Sequence, residues 1–391
     1  MKFRKRKKRI SLILISLLLL SIPVSFVSAE ESQKTDADQV ETVNLVELRA
    51  LFIEDSADIR KLNDFIGQID DALYAFEKNK KLIYYFGERL TNGYPEDRKG
   101  RYYEYYYKYF VAIENAKAKR ESLFILRDLA EAKLGFGADQ LLSGRALLQE
   151  KIDLYNKMID RTELIYKTTL DKKAQGLLTK YDLEYARIVL ENTKLNRDQL
   201  ENQLDSLEAQ IISMTNLDSD KTYKFPKPIF TETDFVQENL PQYYEQALST
   251  SLTIADVKRQ MEALEYEEDF IMTYQRDVLK TDLLDFNKRM EDGKKAQEDA
   301  KRDVYKLLVE HLNDYNHVVD EIDVINLQIE YDQNRLNTLK IMEEQGQVID
   351  TDRLGYELKC FQSRLQKMSL ENERMLLGQK IQIMIGSGIN L

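Results

Sequence analysis

Tryptophan is absent from this 391-residue chain, and cysteine and histidine are nearly so: Cys360 stands alone, with His311 and His317. A single thiol closes no internal disulfide, so stability has to come from packing. Two histidines six positions apart do not share one helix face, and they read as surface or seam residues. No metal-ligand spacing results, and no metal or cofactor is expected. Proline and glycine are also scarce, at five and fourteen residues, which excludes a loop-rich fold. No Ser-His-Asp grouping, Cys-His pair or phosphate loop is visible. Long helices make poor clefts, so the chain is not expected to be an enzyme.

What is plentiful is charge. Charged side chains make up 32% of the chain, against about 25% in an average globular protein. Few breakers and many charges suit long, solvated helices. The opening "MKFRKRKKRI" holds seven basic residues and no acidic one, and an apolar run ending near Pro23 and small residues at Val27 to Ala29 follow. This is a secretory signal over 1–29 with cleavage after Ala29; an uncleaved anchor is the alternative. Removing those seven basic residues moves the formal charge from −11 to −18. An exported chain this acidic is not expected to bind nucleic acid.

Residues 30–42 are polar and read as a flexible N-terminus. From Val43 onward the chain reads as helix with few interruptions. Of the four prolines beyond the signal, Pro226, Pro228 and Pro241 cluster and mark a linker over 218–241. The linker separates a first repeat (43–217) from a second (242–391). Pro95 lies in "TNGYPEDRKG", a strong turn signal. Gly293 and the "LGFGADQ" stretch from Leu134 to Gln140 mark weaker candidate breaks. The two halves share an order of features. Ala247-Leu248 answers Ala50-Leu51 at an offset of 197, and Gly346 answers Gly176 at an offset of 170. The first half is therefore 27 residues longer in its middle. The pattern is an internal duplication.

Each of these glycines precedes a long heptad pattern. Positions 183, 186, 190, 193, 197, 200, 204, 207, 211 and 214 alternate in steps of three and four, and eight of the ten are apolar. Leu354, Leu358, Phe361, Leu365 and Met368 follow the same rule until Asn372 breaks it. This is coiled-coil spacing. A helix of about 36 residues is about 54 Å long at 1.5 Å per residue, so it must lie along a partner helix. Thr179 with Asp182 forms an acidic variant of the helix-start capping box, and Asp350 and Thr351 offer the same service in the second half. Gly176 and Gly346 suit the left-handed residue just past a helix end. Both stretches read as tips of long antiparallel helical hairpins in an all-α fold.

Two halves with Ala-Leu openings, and tips built as glycine, acidic helix start and leucine, resemble the TolC family of efflux proteins. "AQGLLTKYDLEYARIVLEN" and "EEQGQVIDTDRLGYELKCFQ" carry the resemblance. It implies an α-helical tube made by a homotrimer, exported to the cell envelope: the outer membrane if the cell has one, otherwise the cell surface. It implies that the tips dock a membrane-fusion adaptor protein, and through it an inner-membrane transporter. Carried over, the docking residues are Gln175, Gly176, Leu177, Gln345, Gly346 and Gln347. A pore constriction falls to Asp350 and Asp352, although Gly355 stands where the family has a second acidic residue.

The membrane part departs from the family. In the second half, "TYQRDVLKTDLLDFNKRMEDGKKAQEDAKRD" is too charged for a lipid-facing strand and has a helical period. In the first, "KLIYYFGERL" and "RYYEYYYKYFVAI" hold strand-favouring aromatics and offer one hairpin at most. The barrel strands therefore read as reduced or missing. The cluster Tyr102, Tyr103, Tyr105, Tyr106, Tyr107, Tyr109 and Phe110 is either a belt facing membrane or cell wall, or bulky packing at the closed end of the hairpin. A non-channel coiled-coil scaffold of the envelope is the alternative function.

Overall fold

The computed structural model describes residues 41–54, 56–91, 107–228, 233–273, 280–346 and 350–389. The signal segment with Ala29, residues 30–40, the Pro95 turn and Tyr102, Tyr103, Tyr105 and Tyr106 lie outside them. Eight helices are described: α1 (Leu45–Glu54), α2 (Ala57–Thr91), α3 (Ala112–Ala174), α4 (Lys180–Thr215), α5 (Leu240–Thr250), α6 (Leu252–Thr273), α7 (Lys280–Glu344) and α8 (Asp350–Ser387). A π-helical turn, Tyr107–Val111, leads into α3. Among the described residues the only strands are β1 (Glu41–Thr42) and β2 (Tyr223–Lys224), paired in parallel.

The duplication is structural. Elements α1 to α4 recur as α5 to α8: a short helix, a second helix, then two long helices joined at a tip. Even the corner between the first two repeats. Ser56 Oγ accepts from the Ile59 amide at 3.4 Å, and Ser251 Oγ accepts from the Ile254 amide at 3.3 Å. In each case a hydroxyl at the start of the second helix satisfies one of its orphan amides.

The tip hairpins are antiparallel. Across α3 and α4, Arg145 pairs with Glu208 and Glu163 with Lys194, so one number rises as the other falls. Across α7 and α8, Asp332 faces Lys359 and Glu343 faces Arg353. At 36 and 38 residues, α4 and α8 match the expected length. The counted seam on α4 faces inward from Leu183 to Ile211; Met214 is exposed, and Thr215 takes the buried place instead. A straight helix with 3.6 residues per turn drifts against a 3.5-residue repeat, and at the end of the seam the drift has moved the stripe by one position.

Three expectations need correction. Residues 134–140 do not break α3, which runs 63 residues through them, with Phe136, Ala138 and Leu142 buried. Gly293 is not a turn but sits inside α7, where a Cβ would collide with the Met261 sulfur; its role is to let α7 approach α6. The strand-like segments are also helical. Lys81–Leu90 belongs to α2, and Tyr107–Ile113 is π- and then α-helical, so local helix continuation overrides the aromatic strand preference. The second-half segment is helical where described, as its period indicates.

The linker is not loose. Tyr223 and Phe225 are buried with Leu48, Phe52, Leu142 and Ile211. Phe235 is buried with Ala247, Leu308, Tyr315 and Ile381. Each half thus closes a core where its short first helix and one end of the linker meet the middle of its longest helix and the far end of the helix that returns from the tip. Glu41 and Thr42, expected to be flexible, are held by β2.

Candidate functional site

Four helices form the tip half of the molecule. α3 packs on α4 and on α8, and α8 packs on α3 and on α7. Met158 and Ile165 of α3, Val189 of α4, and Leu354 and Phe361 of α8 make a shared core between the two hairpins. α4 and α7 therefore flank this half of the bundle.

At the first tip, Gly176 has φ 75° and ends α3 in a left-handed turn. Its amide donates to the Lys173 carbonyl, and the Leu177 amide donates to the Lys172 carbonyl, both at 2.9 Å. These two bonds satisfy carbonyls that the helix end would leave orphaned. The chain then re-enters helix through the capping box. The Asp182 amide donates to Thr179 Oγ1 at 3.2 Å, and the Thr179 amide donates to Asp182 Oδ2 at 2.8 Å. Thr179 Oγ1 also donates to Asp182 Oδ2 at 2.7 Å, and this bond, then the one from the Thr179 amide, holds the Asp182 carboxyl below its ordinary range. Gln175, Gly176 and Leu177 are all exposed, and Tyr181 beside them is 85% exposed.

The second tip repeats the turn. Gly346 has φ 68°, and its amide donates to the Glu343 carbonyl at 2.8 Å. Gln345 and Gly346 are exposed. Gln347 lies outside the described residues. Asp350 and Asp352 occupy the first turn of α8, but their side chains, like that of Thr351, lie outside the described set. At both glycines a Cβ would meet nothing within 4 Å, so backbone conformation, not crowding, selects glycine.

Sequence reasoning missed the polar ties that hold the tips together. Arg161 of α3 donates twice to Glu357 of α8, each time at 3.0 Å. Arg353 lies 3.1 Å from Glu343 and 3.8 Å from Glu357. Its Nε–H is aligned with neither carboxylate, so these are charge contacts and not directed hydrogen bonds. The chain of charges runs from the first hairpin through α8 to the end of α7. Deeper in the second hairpin, Asp332 is fully buried, with Ser363 Oγ at 3.5 Å and Lys359 Nζ at 3.8 Å.

At the opposite end a second buried carboxylate joins three elements. Glu267 of α6 accepts from both Arg289 terminal nitrogens, at 2.7 and 2.5 Å, and from Tyr107 Oη at 2.5 Å. Burial, and then the bond to Glu267, raises the Tyr107 phenol above its ordinary value. In the middle, Asp139 accepts two bonds from Arg49 at 2.7 Å and one from Gln379 at 2.6 Å, which ties α1, α3 and α8. His311 is half-buried and His317 exposed, and burial lowers the His311 value. Among the described residues no cluster of metal-ligating side chains occurs, and no helix is long and apolar enough to cross a membrane.

No protein-family model and no curated protein matches the chain. Solved structures do. The fold is similar to that of a membrane protein from Pseudomonas aeruginosa, with TM-score 0.66 and 10% identity over 93% of this chain and 97% of that one. It is similar to the CmeC outer membrane channel of Campylobacter jejuni, with TM-score 0.64 and 11% identity over 95% and 94%. The open-state MtrE outer membrane channel of Neisseria gonorrhoeae gives TM-score 0.54 and 10% identity over 93% and 99%. At these identities the likeness is one of fold. The resemblance read from the sequence holds at that level: the architecture is that of TolC-family outer-membrane channels.

Proposed function

We propose that the chain is one subunit of a TolC-like export conduit of the cell envelope, a homotrimeric helical tube. Its hairpin tips dock a membrane-fusion adaptor and, through it, an inner-membrane transporter. One observation carries this reading. α4 and α7 each bear a second apolar stripe at heptad spacing, and among the described residues nothing covers it. On α4 it runs Tyr181, Tyr185, Ile188, Leu195; on α7 it runs Val324, Leu327, Tyr331, Ile341; all eight are exposed. A coiled-coil seam without a partner helix is a site of association.

The two stripes differ, so α4 of one copy meets α7 of the next. Such a head-to-tail contact closes into a ring when the rotation allows, whereas a two-fold dimer would bury like against like. The ion pairs Glu163–Lys194, Arg161–Glu357 and Arg353–Glu343 relate the heights of the four helices. Stepping along them puts Leu195 level with Ile341. Cysteines at those two positions, in a Cys360→Ser background, are expected to form a disulfide between copies and a ladder ending at the trimer. A monomeric native mass with no inter-chain disulfide favours the envelope scaffold.

Docking rests on the tips being exposed, duplicated and built on fixed turns. Gln175→Ala and Gln347→Ala leave both glycine turns in place and are expected to weaken co-purification of envelope partners. Trimeric variants that retain every partner at wild-type levels would leave the tips as plain hairpin turns. The pore role of Asp350 and Asp352 belongs to the same proposal. It predicts that Asp350→Asn with Asp352→Asn changes ion conductance without changing assembly.

A further inference from the structure

A cleft of about 240 Å³ opens where α3, α7 and α8 meet, between the two hairpins. Leu154, Met158, Leu336 and Phe361 supply its apolar lining, and Met158 and Phe361 are buried. Four charged side chains border it: Lys157, Arg161, Glu357 and Arg364. Arg161 and Glu357 neutralise each other through their paired hydrogen bonds. Lys157 on α3 and Arg364 on α8 have no carboxylate partner among the described residues. The cleft thus keeps two uncompensated positive charges in a chain whose formal charge is −11. Apolar floor and cationic rim are complementary to one kind of molecule.

We propose that this cleft binds a small anionic amphiphile, a single short acyl chain ending in a carboxylate or similar anion. Its chain lies on Met158, Leu336 and Phe361, and its head group meets Lys157 and Arg364. Because those two cations belong to different hairpins, an occupant ties α3 to α8 as the Arg161–Glu357 pair does. The size of the cleft favours one short chain over a two-chain lipid. The site lies within one chain and is complete without a neighbouring copy.

The chain carries its own reporter, because Cys360, its only cysteine, lines the cleft and is buried. Burial, and then the buried Asp332 carboxylate, raises its thiol pKa while Arg364 lowers it, which places that guanidinium within electrostatic reach of the sulfur. The experiment measures maleimide labelling of Cys360 in the full chain, with decanoate below its micelle concentration. Calorimetry of decanoate binding gives a second readout that needs no thiol chemistry. Decanoate is expected to slow labelling and to give a saturable heat. Decyltrimethylammonium, decyl maltoside and vesicles of phosphatidylglycerol are expected to do neither. Lys157→Gln with Arg364→Gln is expected to weaken decanoate binding at least tenfold while leaving the helical circular dichroism unchanged. Equal protection by the cationic or neutral amphiphile, or by the vesicles, overturns the proposal. So does an unaltered affinity in the double variant, or no heat with decanoate in the native chain.

Discussion

The two tip glycines and the capping box show how single residues fix where a hairpin turns. At Gly176 the backbone is left-handed and the space around a Cβ is empty. Gly176→Ala is therefore expected to cost about 1 kcal/mol through φ alone, with no clash to relieve. Denaturation of the isolated subunit should show that loss, and Gly346→Ala a similar one. The Asp182 carboxyl adds a dependence on pH. Its folded value lies below the ordinary one, because Thr179 hydrogen-bonds its charged form. That stabilisation is present above the unfolded value of about 3.9 and is lost as pH falls through the folded value. Amide exchange at residues 179–182 should accelerate on acidification more in the native chain than in Thr179→Ala, which already lacks the hydroxyl.

At the scale of elements, the buried carboxylates are where local order becomes long-range order. Glu267 is 0% exposed and holds both Arg289 and Tyr107. Glu267→Gln keeps the shape but leaves the guanidinium without its counter-charge. Removing one partner of a buried pair costs about 3–5 kcal/mol; Arg289 is 44% exposed, so about 2 kcal/mol is the expected loss. Exchange protection should fall in α6 and around the π-helical turn before it falls at the tips.

The same contrast marks what the sequence could and could not disclose. Heptads, Thr179 with Asp182, and the glycines are all written within a few residues, because helix period and capping are local physics. Tyr107 and Glu267 are 160 positions apart, and Arg161 and Glu357 are 196 apart. No spacing rule reaches that far, and each reads as one more charged or aromatic residue on a helix. Gly293 misled for a related reason. Whether a glycine marks a turn or a close approach depends on the helix beside it, which is Met261 of α6. The barrel question shows the limit of propensity. "KLIYYFGERL" favours strand by composition, yet it forms the last turns of a 35-residue helix.

For the whole molecule, the question is whether the exposed stripes on α4 and α7 exist to be buried by another copy. A charge placed on such a stripe separates folding from assembly. Leu195 and Leu327 are 55% and 67% exposed, so glutamate at either site meets water in the lone chain and should leave its helicity and melting cooperativity intact. In a seam between copies the same carboxylate is buried without a partner, which costs several kcal/mol at every repeat of the ring. Leu195→Glu and Leu327→Glu should each give folded monomers where the native chain gives trimers by sedimentation velocity. Because each ring contact pairs an α4 with an α7, mixing the two variants should not restore a closed ring. A two-fold association of like stripes would instead let Leu195→Glu copies still pair through α7. Native chains that sediment as monomers, unchanged by either substitution, would leave the stripes as solvated helix faces and the chain as a scaffold.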